Sequence, residues 1–482
     1  MPLFFMVGFL LLGGLYAAFI YRWRWGIYGM IIFFPVSGLV TLFFFPAPLW
    51  TRLVKDILFV LPVYAGFFLW GIQNPAKLIS VLRDLPILPI ALLALLVGIQ
   101  FFNPALPNRM VGLIGVRTWL FYLPMLGLGY QLVSSKQQLL TLAKVMLIVA
   151  LIPCIFGIGQ AVLYYTGEHE LAYAIYGAAA SDVSQGFTSF GDAGSNFGLV
   201  RLPSLFTYVT QYLLFLLSML PIAYFMAFRP NRKRGPRVGY ILILGTILIA
   251  GFASGARGAF AMMPAILLLT IMLTTRLARA LPRIAMMATL IIGGLFLMGK
   301  LLGGGMGKLV GYISEVTGGY LSGDLTDNLV TAFQTTWVGL GSGMATGPAR
   351  VAFNSAEEAA ANAAGIESFY AKAVYELGLV GLVIVAGLLL SLLWRGFKAF
   401  RRLKDPELRL CAGSILAFLI GIMVYLLKGA VIDYDPMNVY FWLLAGLLLR
   451  LPSIDLSGLP NSPGRAQNVS VPEISQKAAV AP

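Results

Sequence analysis

The residues best suited to chemistry are arginines set where apolar runs begin or end. Ser254-Gly255-Ala256-Arg257-Gly258-Ala259 places Arg257 between two short apolar segments. An ionisable group in such a setting is costly and is read as functional by default. The small residues around it permit close helix approach and leave room for a ligand. Val200-Arg201-Leu202-Pro203-Ser204 opens one apolar run, and Gly115-Val116-Arg117-Thr118-Trp119 opens another. Guanidinium groups stay charged at any relevant pH and grip phosphate oxygens through a two-pronged fork. Arg117, Arg201 and Arg257 together are therefore read as a shared anion site. Each one taken alone is more readily an anchor snorkelling to lipid headgroups than a ligand.

Candidate proton-transfer groups are fewer. Gly365-Ile366-Glu367-Ser368-Phe369-Tyr370 ends a long polar segment where the chain enters an apolar run. Partial burial there is expected to raise the Glu367 carboxyl towards a useful base. The alternative is a carboxylate favoured by a helix N-terminus. Glu376 lies deeper in the same run, and Lys372 four residues earlier is its expected partner. Lys428, Asp433 and Asp435 fall in the last polar connection and are candidates for the same cavity. His169, the one histidine, sits between Glu168 and Glu170 and reads as solvated. A single histidine with scattered carboxylates does not make a zinc site. The turn Trp337-Val338-Gly339-Leu340-Gly341-Ser342-Gly343, with Arg350 beyond it, lacks the Lys-Ser/Thr and the preceding strand of a nucleotide loop. It reads as a tight turn back towards the membrane, with Arg350 joining the candidate anion ligands.

The elements that must hold these residues are apolar helices. The chain has 482 residues, 59% of them hydrophobic and 11% charged. Its mean hydropathy is +0.87. Soluble domains carry about 25% charged residues, so this chain has too little polar surface to coat a globule in water. Its long apolar runs are continuous rather than alternating, and in lipid only helices then satisfy their own backbone. Thirteen runs qualify: 3–20, 26–45, 57–71, 85–102, 118–133, 140–165, 205–228, 240–252, 258–273, 284–298, 370–394, 410–427 and 439–449. The expected fold is an all-α polytopic membrane protein of about 12–13 helices, with residues 1–450 as its membrane domain. The start lacks a basic leader region, so the first apolar segment is expected to be retained. Cys154 and Cys411 lie in apolar runs and read as packing residues.

The net charge of +15 is assigned to inner loops rather than to nucleic acid. Arg229–Arg237, Arg276–Arg283 and Arg395–Arg409 are three basic loops, and alternating spans put all three on one side. Arg22, Arg24, Lys77, Arg83 and Lys136 join them, while Arg52, Lys55 and Arg109 dissent. Two long segments, 167–203 and 301–368, fall on the opposite, outer face and are acid-rich. Connections of that length are usually functional or disordered, and two on one face point to recognition or chemistry outside. Residues 451–482 read as a disordered cytoplasmic tail.

Four pieces of this pattern resemble the O-antigen ligase/polymerase superfamily of bacterial envelope proteins. They are 112–130 with Arg117, Arg201-Leu202-Pro203-Ser204, Ser254–Ala259, and Trp337–Gly343 followed by 367–381. The resemblance implies a GT-C-like helical bundle with a large periplasmic loop in the bacterial inner membrane. It implies transfer of glycan from an undecaprenyl-pyrophosphate-linked oligosaccharide, with no cofactor and no metal. Arg257 is implied to hold the pyrophosphate, and Arg201 is a weaker match to the same role. Membrane lipids and a chain-length regulator are the partners expected. Ligases of the superfamily typically carry a His-Asn pair where Glu367-Ser368 stands here, and an arginine where Asp324 and Asp327 stand. Those departures favour a polysaccharide polymerase, inverting at the anomeric carbon, over an O-antigen ligase or other glycan transferase. A lipid-linked glycan flippase or transporter is the non-enzymatic alternative.

Overall fold

Among the described residues every regular element is a helix, as continuous apolar runs require. The computed structural model describes residues 2–43, 53–179, 200–230, 234–275, 277–301, 311, 324–345 and 366–457. Among these, nine helices are long and apolar enough to cross a membrane. They are Trp23–Phe43, Asp56–Gln73, Arg109–Leu132, Lys136–Tyr165, Val209–Phe228, Arg257–Thr274, Phe369–Arg402, Pro406–Tyr425 and Met437–Leu456. Pro75–Asp84 and Ile87–Phe101 make a tenth if counted as one span, bent by 86°. Leu12–Tyr21, Arg237–Ala253 and Ala280–Phe296 are shorter apolar helices that coincide with the remaining expected runs. The chain is thus a multi-pass helical membrane protein by length and composition.

Val209–Phe228 is the central helix. It is apolar around its whole circumference and buried over nearly all of its length, as such a helix must be. Lys136–Tyr165, Arg234–Ala253, Arg257–Thr274, Pro406–Tyr425 and Met437–Ser457 pack around it. Beside this core, Met125–Leu132 lies against Met437–Ser457 so closely that a Cβ on Gly446 would meet the Leu126 carbonyl oxygen at 2.0 Å. Small residues allow this approach, which in lipid replaces hydrophobic driving force with contact area.

Several expected boundaries move. The run 118–133 begins earlier, at Arg109, with Asn108 accepting from the Met110 N–H as its cap. The run 85–102 is preceded by a separate helix, Pro75–Asp84, because Pro86 cannot continue it at that angle. The last helix runs through Pro452 to Ser457, so the expected tail begins later than 451, and 458–482 lie outside the described residues. Within 301–368, the described part contains the helix Asp324–Thr335.

The basic connections do meet at one end of the bundle. Lys136 pairs with Asp405 at 2.7 Å and Glu407 at 2.8 Å, and Arg229 lies 3.6 Å from Glu407. Arg395 donates to the Asp84 carbonyl at 3.1 Å, and Arg24 to the Gln131 carbonyl at 3.0 Å. At this end Asp405 caps Pro406–Tyr425 by accepting from the Glu407 and Leu408 N–H groups. Burial pushes the Asp405 carboxyl up, but the Lys136 hydrogen bond and the two backbone donors outweigh it and hold it below its usual range.

Candidate functional site

The opposite end carries the described sequence candidates, and the backbone segments bearing two of the three arginines are joined there. Ser254 closes the helix Arg234–Ala253. Its Oγ donates to the Gly251 carbonyl at 2.6 Å and accepts from the Ala256 N–H at 3.2 Å. Gly255 then turns the chain with φ +66, a conformation that L side chains rarely adopt. A Cβ there would sit 2.2 Å from the Val200 carbonyl oxygen. Arg257 follows as the first residue of its own helix. The Leu202 N–H donates to the Ser254 carbonyl at 2.9 Å, so Arg201 and Arg257 ride on two bonded segments. Both side chains are half-buried.

Arg201 is fixed from behind by Ser204, a non-glycine residue at φ +57. Such a conformation persists only where the surroundings over-determine it. Here the Ser204 N–H donates to Gln160 Oε1 at 3.1 Å, its carbonyl accepts from Tyr176 at 2.7 Å, and its Oγ donates to the Pro153 carbonyl at 2.7 Å. Gln160 Nε2 closes the cluster on Tyr176 at 2.7 Å and on the Ala172 carbonyl at 3.1 Å. The start of the 167–203 segment is thereby clamped to its end.

Arg117 does not open its helix as expected. It lies in the last turn of Arg109–Leu120 and forms an ion pair with Asp56. Lys55 bonds the other Asp56 oxygen at 2.6 Å and Asp435 at 3.1 Å, and it donates to the Tyr122 hydroxyl. Tyr122 in turn donates to Asp56 at 2.8 Å. A charge at that depth is tolerated because a carboxylate meets it directly. Sequence reading missed this cluster and treated Lys55 only as an exception to the charge rule. The available signal was an adjacent Lys-Asp at the mouth of an apolar run.

Glu376 is also corrected. Lys372 does not pair with it but reaches Asp433 and lies 4.5 Å over the Trp119 ring. The fully buried Glu376 carboxylate accepts from Trp119 Nε1 at 2.7 Å and from the Gly343 and Ala345 N–H groups at 2.9 Å each. The glycine-rich turn is docked where the long helix breaks at Gly378, whose φ is +76. Leu340 and Gly341 donate to the Tyr375 and Glu376 carbonyls, and Leu379 donates to the Trp337 carbonyl. Broken backbone inside an apolar region survives only when protein satisfies it in this way. Asp433 borders a cavity of about 20 Å³ with Trp119, Tyr122 and Phe369, room for about one water. Burial pushes the Asp433 carboxyl above its ordinary range, against the pull of Lys372 and with the repulsion of Glu376.

Glu367 is 65% exposed rather than partly buried, and its carboxylate lies 3.6 Å from Lys428. The backbone around it is anchored, with the Phe369 N–H donating to the Leu426 carbonyl at 3.0 Å. The segment 428–436 therefore joins three places: Lys428 to Glu367, Asp433 to Lys372, and Asp435 to Lys55. Gly258, next to Arg257, faces the end of Pro406–Tyr425, since a Cβ on Gly258 would lie 2.4 Å from the Tyr425 hydroxyl. Arg350 lies outside the described residues. His169 is exposed beside Tyr164.

No protein-family model matches the chain, and no curated protein matches it.

Proposed function

We propose that the protein is a polysaccharide polymerase that joins undecaprenyl-pyrophosphate-linked repeat units at the outer, periplasmic face of a bacterial inner membrane. The observation carrying this reading is the joining of the Arg201 and Arg257 segments through the Leu202–Ser254 hydrogen bond. Two arginines on hydrogen-bonded backbone segments, one of them the first residue of an 18-residue helix, suit a pyrophosphate. Charge builds on that group as it leaves, and each well-placed donor contributes about 3 kcal/mol to the transition state. The bond from the anomeric carbon to the phosphate oxygen breaks, and the acceptor hydroxyl oxygen attacks the opposite face of that carbon. Its proton passes to Glu367, which is open to solvent and therefore reachable by a large acceptor. Undecaprenyl pyrophosphate departs with the electron pair. The bundle around the central helix serves as the GT-C-like scaffold of this reading, and the lipid tail lies between its helices.

Purified protein supplied with lipid-linked repeat units in detergent should build a long lipid-linked chain, and Arg257→Ala should not, while still inserting normally. Polymer of normal length and yield from that variant would sink the proposal. Transfer to lipid A–core or to a protein would make it a ligase instead. The break at Gly378 favours a second reading, because broken helices also line transport sites. Detergent solution separates the two, since chain extension needs no compartments and transport does.

A further inference from the structure

A groove of about 830 Å³ lies at the basic end, far along the sequence from the arginine pair above. The end of Leu12–Tyr21, the turn into Trp23–Phe43, and the last turns of Leu61–Gln73 enclose it. Trp23, Trp25 and Trp70 line it with Arg22 and Arg24, and none of its lining residues is acidic. The wall is rigid: Trp23 meets Phe67 edge-on at 5.3 Å, and Phe67 stacks on Trp70 at 5.4 Å.

The charges here are under-satisfied. The side chain of Arg24 makes one hydrogen bond to the described protein, from Nη2 to the Gln131 carbonyl, and its buried Nε has no acceptor there. Arg450 is near enough to repel Arg24, and its own Nε also lacks an acceptor. The nearby carboxylate, Asp84, is engaged by the Tyr130 hydroxyl. Among the described residues neither Arg22 nor Arg24, the two cations lining the groove, has a carboxylate partner, so the groove presents uncompensated positive charge.

We propose that this groove binds the phosphodiester headgroup of an anionic glycerophospholipid. Tryptophan and tyrosine rings belong at headgroup depth, and arginines beside them attract anionic lipid. A choline headgroup fits less well, because the arginines already occupy ring faces it would use. Arg22 lies 4.9 Å over Trp25 and Arg24 lies 5.2 Å over Trp23. The site stands apart from the polymerase reading and is independent of it.

Native mass spectrometry of the full chain, released from detergent after titration with phosphatidylglycerol or phosphatidylcholine, tests this. Wild type should retain phosphatidylglycerol about 25-fold better, as two arginines at a lipid surface supply about fivefold each. Arg22→Gln/Arg24→Gln should bring the ratio close to one. Where the double variant does not insert, Arg22→Gln alone, at an exposed side chain, should lower the ratio about fivefold. Equal retention of both lipids by wild type, displacement of the lipid by inorganic phosphate, or a ratio unchanged in the variants would overturn the assignment.

Discussion

The Leu202 N–H and the Ser254 carbonyl, 2.9 Å apart, join the segment that leads into Val209–Phe228 to the turn that leads into Arg257–Thr274. Arg201 precedes the first of these residues by one position, and Arg257 follows the second by three. The bond therefore holds together the backbones that carry the two arginines.

Gly255→Ala should separate them. The new Cβ meets the Val200 carbonyl oxygen at 2.2 Å, and the residue is also forced into a positive φ. A cost of about 1–3 kcal/mol is expected for such strain. The variant should insert, melt at lower temperature in detergent, and make little polymer. Wild-type polymer yield would show that the spacing is not set here.

Gln160→Leu should loosen the outer segment without touching an arginine. It leaves the buried Ser204 N–H without an acceptor, at a cost of about 1–3 kcal/mol. Proteolysis between residues 167 and 203 should speed up relative to wild type. Unchanged cleavage would mean that Tyr176 and Pro153 suffice to hold Ser204.

The Lys55–Asp56–Arg117 cluster should prove structural. Asp56→Ala takes the ion-pair partner of Arg117 and one of the two of Lys55 and should cost about 3–5 kcal/mol, read as a lower melting temperature. Adding Lys55→Met and Arg117→Met removes both cations and should recover most of that loss. A triple variant as unstable as the single one would contradict the assignment.

Asp405 predicts an acid-side effect. Its folded carboxyl titrates below the ordinary 3.8, so its contribution is present above that value and fades as pH falls through the lower folded one. At neutral pH, Asp405→Ala should cost about 1 kcal/mol as a lost helix cap. Melting curves of wild type and variant should converge as pH drops below 3.8. A gap that widens on acidification would reverse the sign of the argument.

The apolar runs by themselves determined an all-helical, multi-pass chain, because lipid offers backbone groups no other partner. The basic loops of the sequence likewise marked one common end, since charge avoids the hydrocarbon wherever the chain turns. Ser254–Ala259 was legible as a turn between two helices, because a glycine among small residues between apolar runs marks one. Tertiary structure alone decided which charges meet. Asp56 and Arg117 are 61 positions apart, and Trp119 and Glu376 are 257 apart. Helical spacing pointed Glu376 at Lys372, but the glycine-rich turn brought N–H donors that bind a carboxylate better, and Lys372 turned to Asp433. Hydrophobic periodicity tells a helix to enter the membrane and says little about its rotation or its neighbours. Those follow from close packing at residues such as Gly446 and from the need to pair every buried charge.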